Sequence, residues 1–297
     1  GLTPIQAGFM TSMPLIAGAI LQLVSPWAIR YHVKSHKMWV LVMAIVQGLM
    51  FIPLSISTYT GIGFIGLFVI SSFYFAAAYS TGGAWNFWMA KLVPTQRAPA
   101  YYSGRNRVVQ FGIVLGMVLA GIALEHSKAM PTFAVLFLVA WFCRMASVVA
   151  LYLQDFLPEW ENSDEVTSLN QVIKRMISGE SPTHYFGALF FFYVGVYFTA
   201  PFVNPFLLVH LKLSYLQYMI AMSTLFLTKV LVMPLVGRVI EKFGRKKVFL
   251  VCMFAIAPMP IMWLLPVNFA LVLFVQFING IFWGGFEICM VLNFTEG

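Results

Sequence analysis

Long apolar runs alternate with short polar ones along the chain. Nine of the runs are long enough to cross a membrane, at roughly 5–29, 38–58, 62–88, 108–124, 131–153, 185–208, 216–236, 248–265 and 268–292. A hydrocarbon core of ~30 Å takes ~20 helical residues. The pattern therefore predicts an all-α, polytopic integral membrane protein. The longest polar stretch, 154–184, divides it into two bundles, 1–153 and 185–297. That stretch is acidic at first. Val166, Leu169, Val172, Ile173, Met176 and Ile177 then recur at helical spacing, with Lys174 and Arg175 on the polar side. This reads as a linker carrying a short interfacial helix.

The loop charges orient the spans. Loops after the first, third, fifth and seventh spans hold fourteen Lys and Arg, and the opposite loops hold only Lys128 and Lys212. Such a bias places the richer loops in the cytoplasm and the N-terminus outside. A plasma (inner) membrane is the expected location. The first run has no basic leader or cleavage pattern, so it reads as a span and not a signal peptide.

Composition narrows the function classes. The chain is 61% apolar and only 9% charged, too greasy to cover itself in water. Its net charge of +8 would suggest nucleic acid in a soluble protein. Here the cations lie between apolar spans, so anionic lipid is the expected partner and nucleic acid is not. Cys143, Cys252 and Cys289 all fall inside apolar runs, and there is no C-x-x-C or H-E-x-x-H. No disulfide frame, metal or cofactor is expected.

The most charged stretch is Gly237–Lys247, with Arg238, Lys242, Arg245, Lys246 and Lys247 as cations, Glu241 as the one acid, and Gly237 and Gly244 bracketing it. Gly244 suits the positive φ of a tight turn. The cations suit an anionic leaflet surface. Gly237 suits a close approach of two helix backbones. The spacing Gly-x-x-x-acid-base-x-Gly-base-base resembles the signature loop of the major facilitator superfamily of secondary transporters. That resemblance implies twelve helices in two related bundles. It makes this chain a fragment covering family helices two to ten. Gly82-Gly83 near the end of the third run and Gly284-Gly285 near the end of the ninth agree with a repeat.

The chain departs from the family pattern in places. The first-half copy of the loop, from Ser25 to Lys34, has Ile29 where the acid belongs. The resemblance implies that Glu241 meets the start of the 108–124 helix, near Arg105 and Arg107, in one conformation. Gly112 and Gly116 in that helix form a G-x-x-x-G, read as helix packing. The family's antiporter proline is missing from it.

Three formal charges lie inside spans: Arg144, Lys229 and Glu287. Each is costly at mid-membrane, about 2.5–3.5 kcal/mol on insertion scales. Arg144 reads as structural. Lys229 and Glu287 both fall in the same half of the second bundle and are expected to pair, either as a static bridge or as a proton- or anion-responsive one. Gln276, Asn279, Trp283 and Glu287 share one helical arc, expected to face a cavity. Tyr74, Thr81, Trp85 and Trp88 form a similar arc in the third run, with Trp88 also suited to the membrane interface. Tyr193, Tyr197 and Asn204 do so in the sixth. There Pro201 and Pro205 break the outer half, either as a gate or as an early helix end.

The function these readings support is secondary active transport of a small organic solute by alternating access. The protein is expected to act as a monomer. The driving ion, if there is one, is expected to be H+, with Glu287 as carrier and Lys229 tuning it. A non-transporting receptor or scaffold is the rival. A membrane-embedded enzyme is a weaker one, because no cluster of His, Asp, Ser or Cys converges at one depth.

Overall fold

The computed structural model describes residues 4–94, 98–155, 183–264 and 268–295, and these are helical almost throughout. The expected interfacial helix of the linker lies outside the described residues. Eight helical segments among those described are long and apolar enough to cross a membrane.

The chain opens with α1, Pro4–Ala28, which widens into a π-helical turn at Ile29–Val33. Lys34 then takes a left-handed conformation, φ +55°, and Ser35 caps the next helix by accepting from the Met38 N–H at 3.2 Å. A two-residue turn thus joins two membrane-length segments. Helices α2, His36–Leu49, and α3, Phe51–Thr60, form one span interrupted at Met50. Pro53 accounts for the break, because it has no N–H for the carbonyl four residues back. Gly61 ends α3 at φ +66°. Then come α4, Phe64–Leu92, α5, Ala98–His126, and α6, Met130–Tyr152.

The second half has α7, Thr183–Pro205, which runs through Pro201 and ends in a π-helical turn, Phe206–His210. The prolines do not stop the helix early; the wider turn follows Pro205, which cannot donate to the preceding turn. Helix α8, Tyr215–Phe243, starts on a reciprocal cap between Ser214 and Gln217. The run expected at 248–265 is not one continuous helix. It is α9, Arg245–Ile256, and a short α10, Met259–Met262. Pro258 and Pro260 remove the donors that would have joined them. Helix α11, Phe269–Thr295, completes the described chain.

Two compact units result. The first contains residues 1–101 and 128–185, and the second contains 102–127 and 186–297. Most of α5 therefore groups with the second half of the chain and not with its sequence neighbours.

In the first unit, α1 and α2 pack on α4, and α3 and α2 pack on α6. Gly18 sets the α1–α4 approach: a Cβ there would lie 2.8 Å from Tyr79 Cδ2 and 3.0 Å from the Phe75 carbonyl. Hydrogen bonds pin the other seams. Trp39 Nε1–H donates to the Ser80 carbonyl at 3.2 Å, and the Ser55 hydroxyl donates to the Ala134 carbonyl at 3.1 Å. Lys37 is buried and not a loop charge. Its ammonium donates to the carbonyls of Tyr152, at 2.8 Å, and Gln154. A cation at a helix C-terminus satisfies carbonyls that lack a partner within the helix. Trp88 lies beneath it, 2% exposed, with Lys37 Nζ 5.9 Å from the ring. Trp88 is thus a core residue and not an interfacial anchor.

In the second unit, α11 is the central helix, packed on α8 and α9. Lipid tails are as apolar as leucine, so tight van der Waals packing and interhelical hydrogen bonds hold such helices together. The closest packing is at glycine. A Cβ at Gly280 would lie 2.5 Å from Thr228 Cβ and 2.7 Å from the Leu225 carbonyl. One at Gly285 would lie 2.6 Å from Cys252 Sγ. The expected packing glycines are different: a Cβ at Gly112, Gly116 or Gly237 would meet nothing within 4 Å. On α5 the close contact is at Gly121, where a Cβ would be 2.9 Å from Met219 Cβ. Gly82 and Gly83 are also open, so they do not repeat the packing of Gly284 and Gly285.

These contacts predict a graded response to added bulk. Gly280→Val should lower stability by about 1–3 kcal/mol, since the new side chain meets backbone that cannot yield. Gly112→Val should change it by less than about 0.5 kcal/mol. Unfolding in mixed micelles measures both; equal losses would show that the α8–α11 contact is not tight.

Candidate functional site

A charge inside a span needs a partner, because nothing in hydrocarbon can solvate it. Lys229 stands at the midpoint of α8, and Glu287 is carried by α11. The helices bring them together because α11 is thin at Gly284. A Cβ there would be only 3.4 Å from Lys229 Cα. The ammonium then reaches Glu287 Oε1 at 2.6 Å. This is the one ion pair formed within salt-bridge distance by two intramembrane charges among the described residues.

The pair is lopsided. The Lys229 side chain is 8% exposed and that of Glu287 is 41% exposed. Lys229 is further sheltered by two rings, with Nζ 5.4 Å from the Phe226 centroid and 5.9 Å from that of Trp283. Their faces attract the cation where water is excluded, by about 0.5–2 kcal/mol each. The cation is the buried member and the carboxylate is the approachable one.

The rest of the α11 arc divides. Gln276 and Asn279 are buried, and Gln276 Nε2–H donates to Met222 Sδ on α8 at 3.4 Å. Gln276 thus lies in the α8–α11 seam. Trp283 is half-buried and belongs to an aromatic cluster centred on Phe286. Phe192 lies 6.0 Å from Trp283 and 4.9 Å from Phe286, and Phe249 stacks on Phe286 at 5.2 Å. Tyr193 meets Phe286 edge-on at 6.1 Å and stacks with the exposed Tyr197 at 6.0 Å. Phe286 was not singled out from the sequence, although its place between Trp283 and Glu287 was a signal. Near the other end of α7, Asn204 accepts from the Tyr218 hydroxyl at 3.0 Å.

In the first unit, Tyr74 lies edge-on to Phe51, at 5.4 Å, and to Phe75, at 5.3 Å. Trp85 is half-buried farther along α4. Arg144 lies on α6 over Gly48, where a Cβ would be 3.2 Å from Arg144 Cγ.

The basic turn has its expected hinge. Gly244 takes φ +83°, ψ 143° between α8 and α9, a conformation that strains any side chain. Glu241, Lys242 and Lys246 are exposed, and Arg245 is half-buried as the first residue of α9. Glu241 makes no ion pair among the described residues, so the contact with Arg105 or Arg107 is not formed here.

Residues 185–293 match the family model described as Major Facilitator Superfamily. Among solved structures, the nucleoside transporter NupG, as its D323A mutant, aligns with a TM-score of 0.71 at 13% identity, covering 98% of this chain and 74% of that one. The D-xylose-proton symporter aligns at 0.65 and 13% identity, over 98% and 74%. The E. coli xylose transporter XylE, partially occluded and inward open, aligns at 0.64 and 13%, over 96% and 75%. Identity this low carries the fold alone. No curated protein matches the chain in sequence.

The lopsided burial predicts an asymmetric cost. Glu287→Ala strands a buried cation and should destabilise by about 3–5 kcal/mol. Lys229→Met leaves a carboxylate that is already partly exposed and should cost about 1–2 kcal/mol. The double variant Lys229→Met/Glu287→Ala should be more stable than Glu287→Ala alone. Unfolding in mixed micelles tests this ranking, and a double variant weaker than either single would contradict it.

Proposed function

We propose, for this chain of the major facilitator superfamily, that it is a secondary active transporter of a small organic solute coupled to protons. The Lys229–Glu287 pair, at 2.6 Å between α8 and α11, carries the reading. An intramembrane ionisable group marks an ion or substrate path by default.

In this reading Glu287 takes the proton, because it is the more exposed member of the pair. Protonation removes the negative charge and leaves the Lys229 ammonium without its anion in a nearly dry site. The cost of that state is relieved if the bundle rearranges or the proton leaves. Solute binding beside Trp283 and Tyr197 biases the same equilibrium. Tyr74 and Trp85 are the candidate solute contacts of the first unit. Alternating access follows the family's repeat logic.

The turn from Gly237 to Lys247 serves as the conformational element. Gly244 supplies the hinge, and Glu241 is the acid available to a neighbouring helix in another state. The excess of Lys and Arg in this turn and the other loops on its side supports a cytoplasmic placement, in a plasma or inner membrane. The protein acts as a monomer.

Uptake into proteoliposomes tests the proposal. Labelled uridine and D-xylose are the first probes, because two of the structural neighbours are a nucleoside transporter and a D-xylose-proton symporter. An inward proton gradient should accelerate uptake. Glu287→Gln keeps a hydrogen-bond acceptor but cannot exchange a proton, and should abolish the acceleration by the gradient. Gradient-driven uptake unchanged in Glu287→Gln would remove the coupling role. Glu241→Ala should slow turnover while leaving solute binding intact, and equal transport rates would remove its switching role.

A further inference from the structure

Helix α6 carries an intramembrane cation that the proposed coupling does not use. Arg144 is half-buried. The outward face of α6 is marked by the exposed Val135, Val139, Phe142 and Val149. Arg144 lies off that face and against Gly48 of α2, whose missing side chain leaves space for Met145 and, beside it, for the Arg144 stem. Its Nε–H is fully buried and has no hydrogen-bond partner. One turn earlier on the same side, the Trp141 Nε1–H is also buried and without a partner. Residues three apart are neighbours on a helix.

The common feature is donors with no acceptor and a positive charge with no acid. Arginine and the indole nitrogen only donate. The chain has ten Asp and Glu. None falls in an apolar run of the first unit, and the one inside a span of the second, Glu287, is engaged by Lys229. A buried cation with two idle donors is costly unless an anion reaches it.

We propose that Arg144, with Trp141, forms an anion site in the first unit, and that its ligand is a small monocarboxylate. A planar carboxylate can take the guanidinium fork with one oxygen and the indole donor with the other. A single negative charge balances the single cation. A phosphate dianion would leave uncompensated charge in a low-dielectric site, and chloride cannot meet two separated donors so well. The site is independent of proton coupling at Glu287.

Thermal unfolding of the full chain in detergent, at constant ionic strength, tests the assignment. The probes are acetate, lactate and benzoate, against chloride and inorganic phosphate. At least one carboxylate should raise the midpoint by several degrees with a saturating dose response, and chloride and phosphate should not. Arg144→Gln should abolish the response. Arg144→Lys keeps the charge but loses the fork, and Trp141→Phe loses only the indole donor; each should shift the half-saturating concentration several-fold upward. These two variants carry the test if Arg144→Gln fails to fold. The proposal is overturned if no carboxylate saturates, if chloride or phosphate does equally well, or if Arg144→Lys and Trp141→Phe respond like the parent.

Discussion

A lysine in the middle of a membrane helix has nowhere to place its charge except on another part of the protein. Lys229 meets that constraint through Glu287, and the second unit is arranged so that the two can meet. Gly280 and Gly284 let α11 lie against α8, and Gly285 makes room for Cys252 of α9. Phe226 and Trp283 close around the ammonium. Remove the glycines and the helices separate; separate the helices and both charges lose their partner. Packing and electrostatics are therefore one requirement here.

The first unit handles its buried cations differently. Lys37 finds carbonyl oxygens at the end of α6, where a helix presents unpaired acceptors. Arg144 finds none. These two and Lys229 form a series: a cation satisfied by a carboxylate, one satisfied by backbone, and one with idle donors. Only the last asks for something from outside the chain. The Lys229–Glu287 pair is different again, since its acid is the exposed partner. On the proposed coupling, that asymmetry is what opens the bridge to proton exchange.

Much of this was legible in the sequence, because charge and proline are conspicuous against an apolar background. Glu287 and Lys229 stood out as intramembrane charges, and Gly244 as the residue for a positive φ. The break after α9 was not read, because length alone suggested a continuous span; Pro258 and Pro260 were the available signal. What could not be read was which neighbour a helix face meets. Lys37 and Trp88 sit near helix ends, where position suggests solvent or headgroups, yet both are buried. Gly237 and Gly112 matched packing motifs, but a Cβ at either would meet nothing within 4 Å, while Gly280 packs tightly and was passed over. Gly280-x-x-x-Gly284 was the available signal. Gln276 and Asn279 shared the arc of Glu287, but an arc spans both a helix seam and an open face. The grouping of α5 with the second half is a tertiary fact with no local sequence mark.

The central claim is that Glu287 takes up a proton and in doing so gives up its ion pair with Lys229. Infrared difference spectroscopy of the reconstituted protein reads this directly. On acidification, a carboxylic acid C=O band should appear that is missing in Glu287→Gln and displaced in Lys229→Met. If no band assignable to Glu287 appears anywhere in the pH range where a gradient drives uptake, the pair is a fixed structural bridge and the account is wrong.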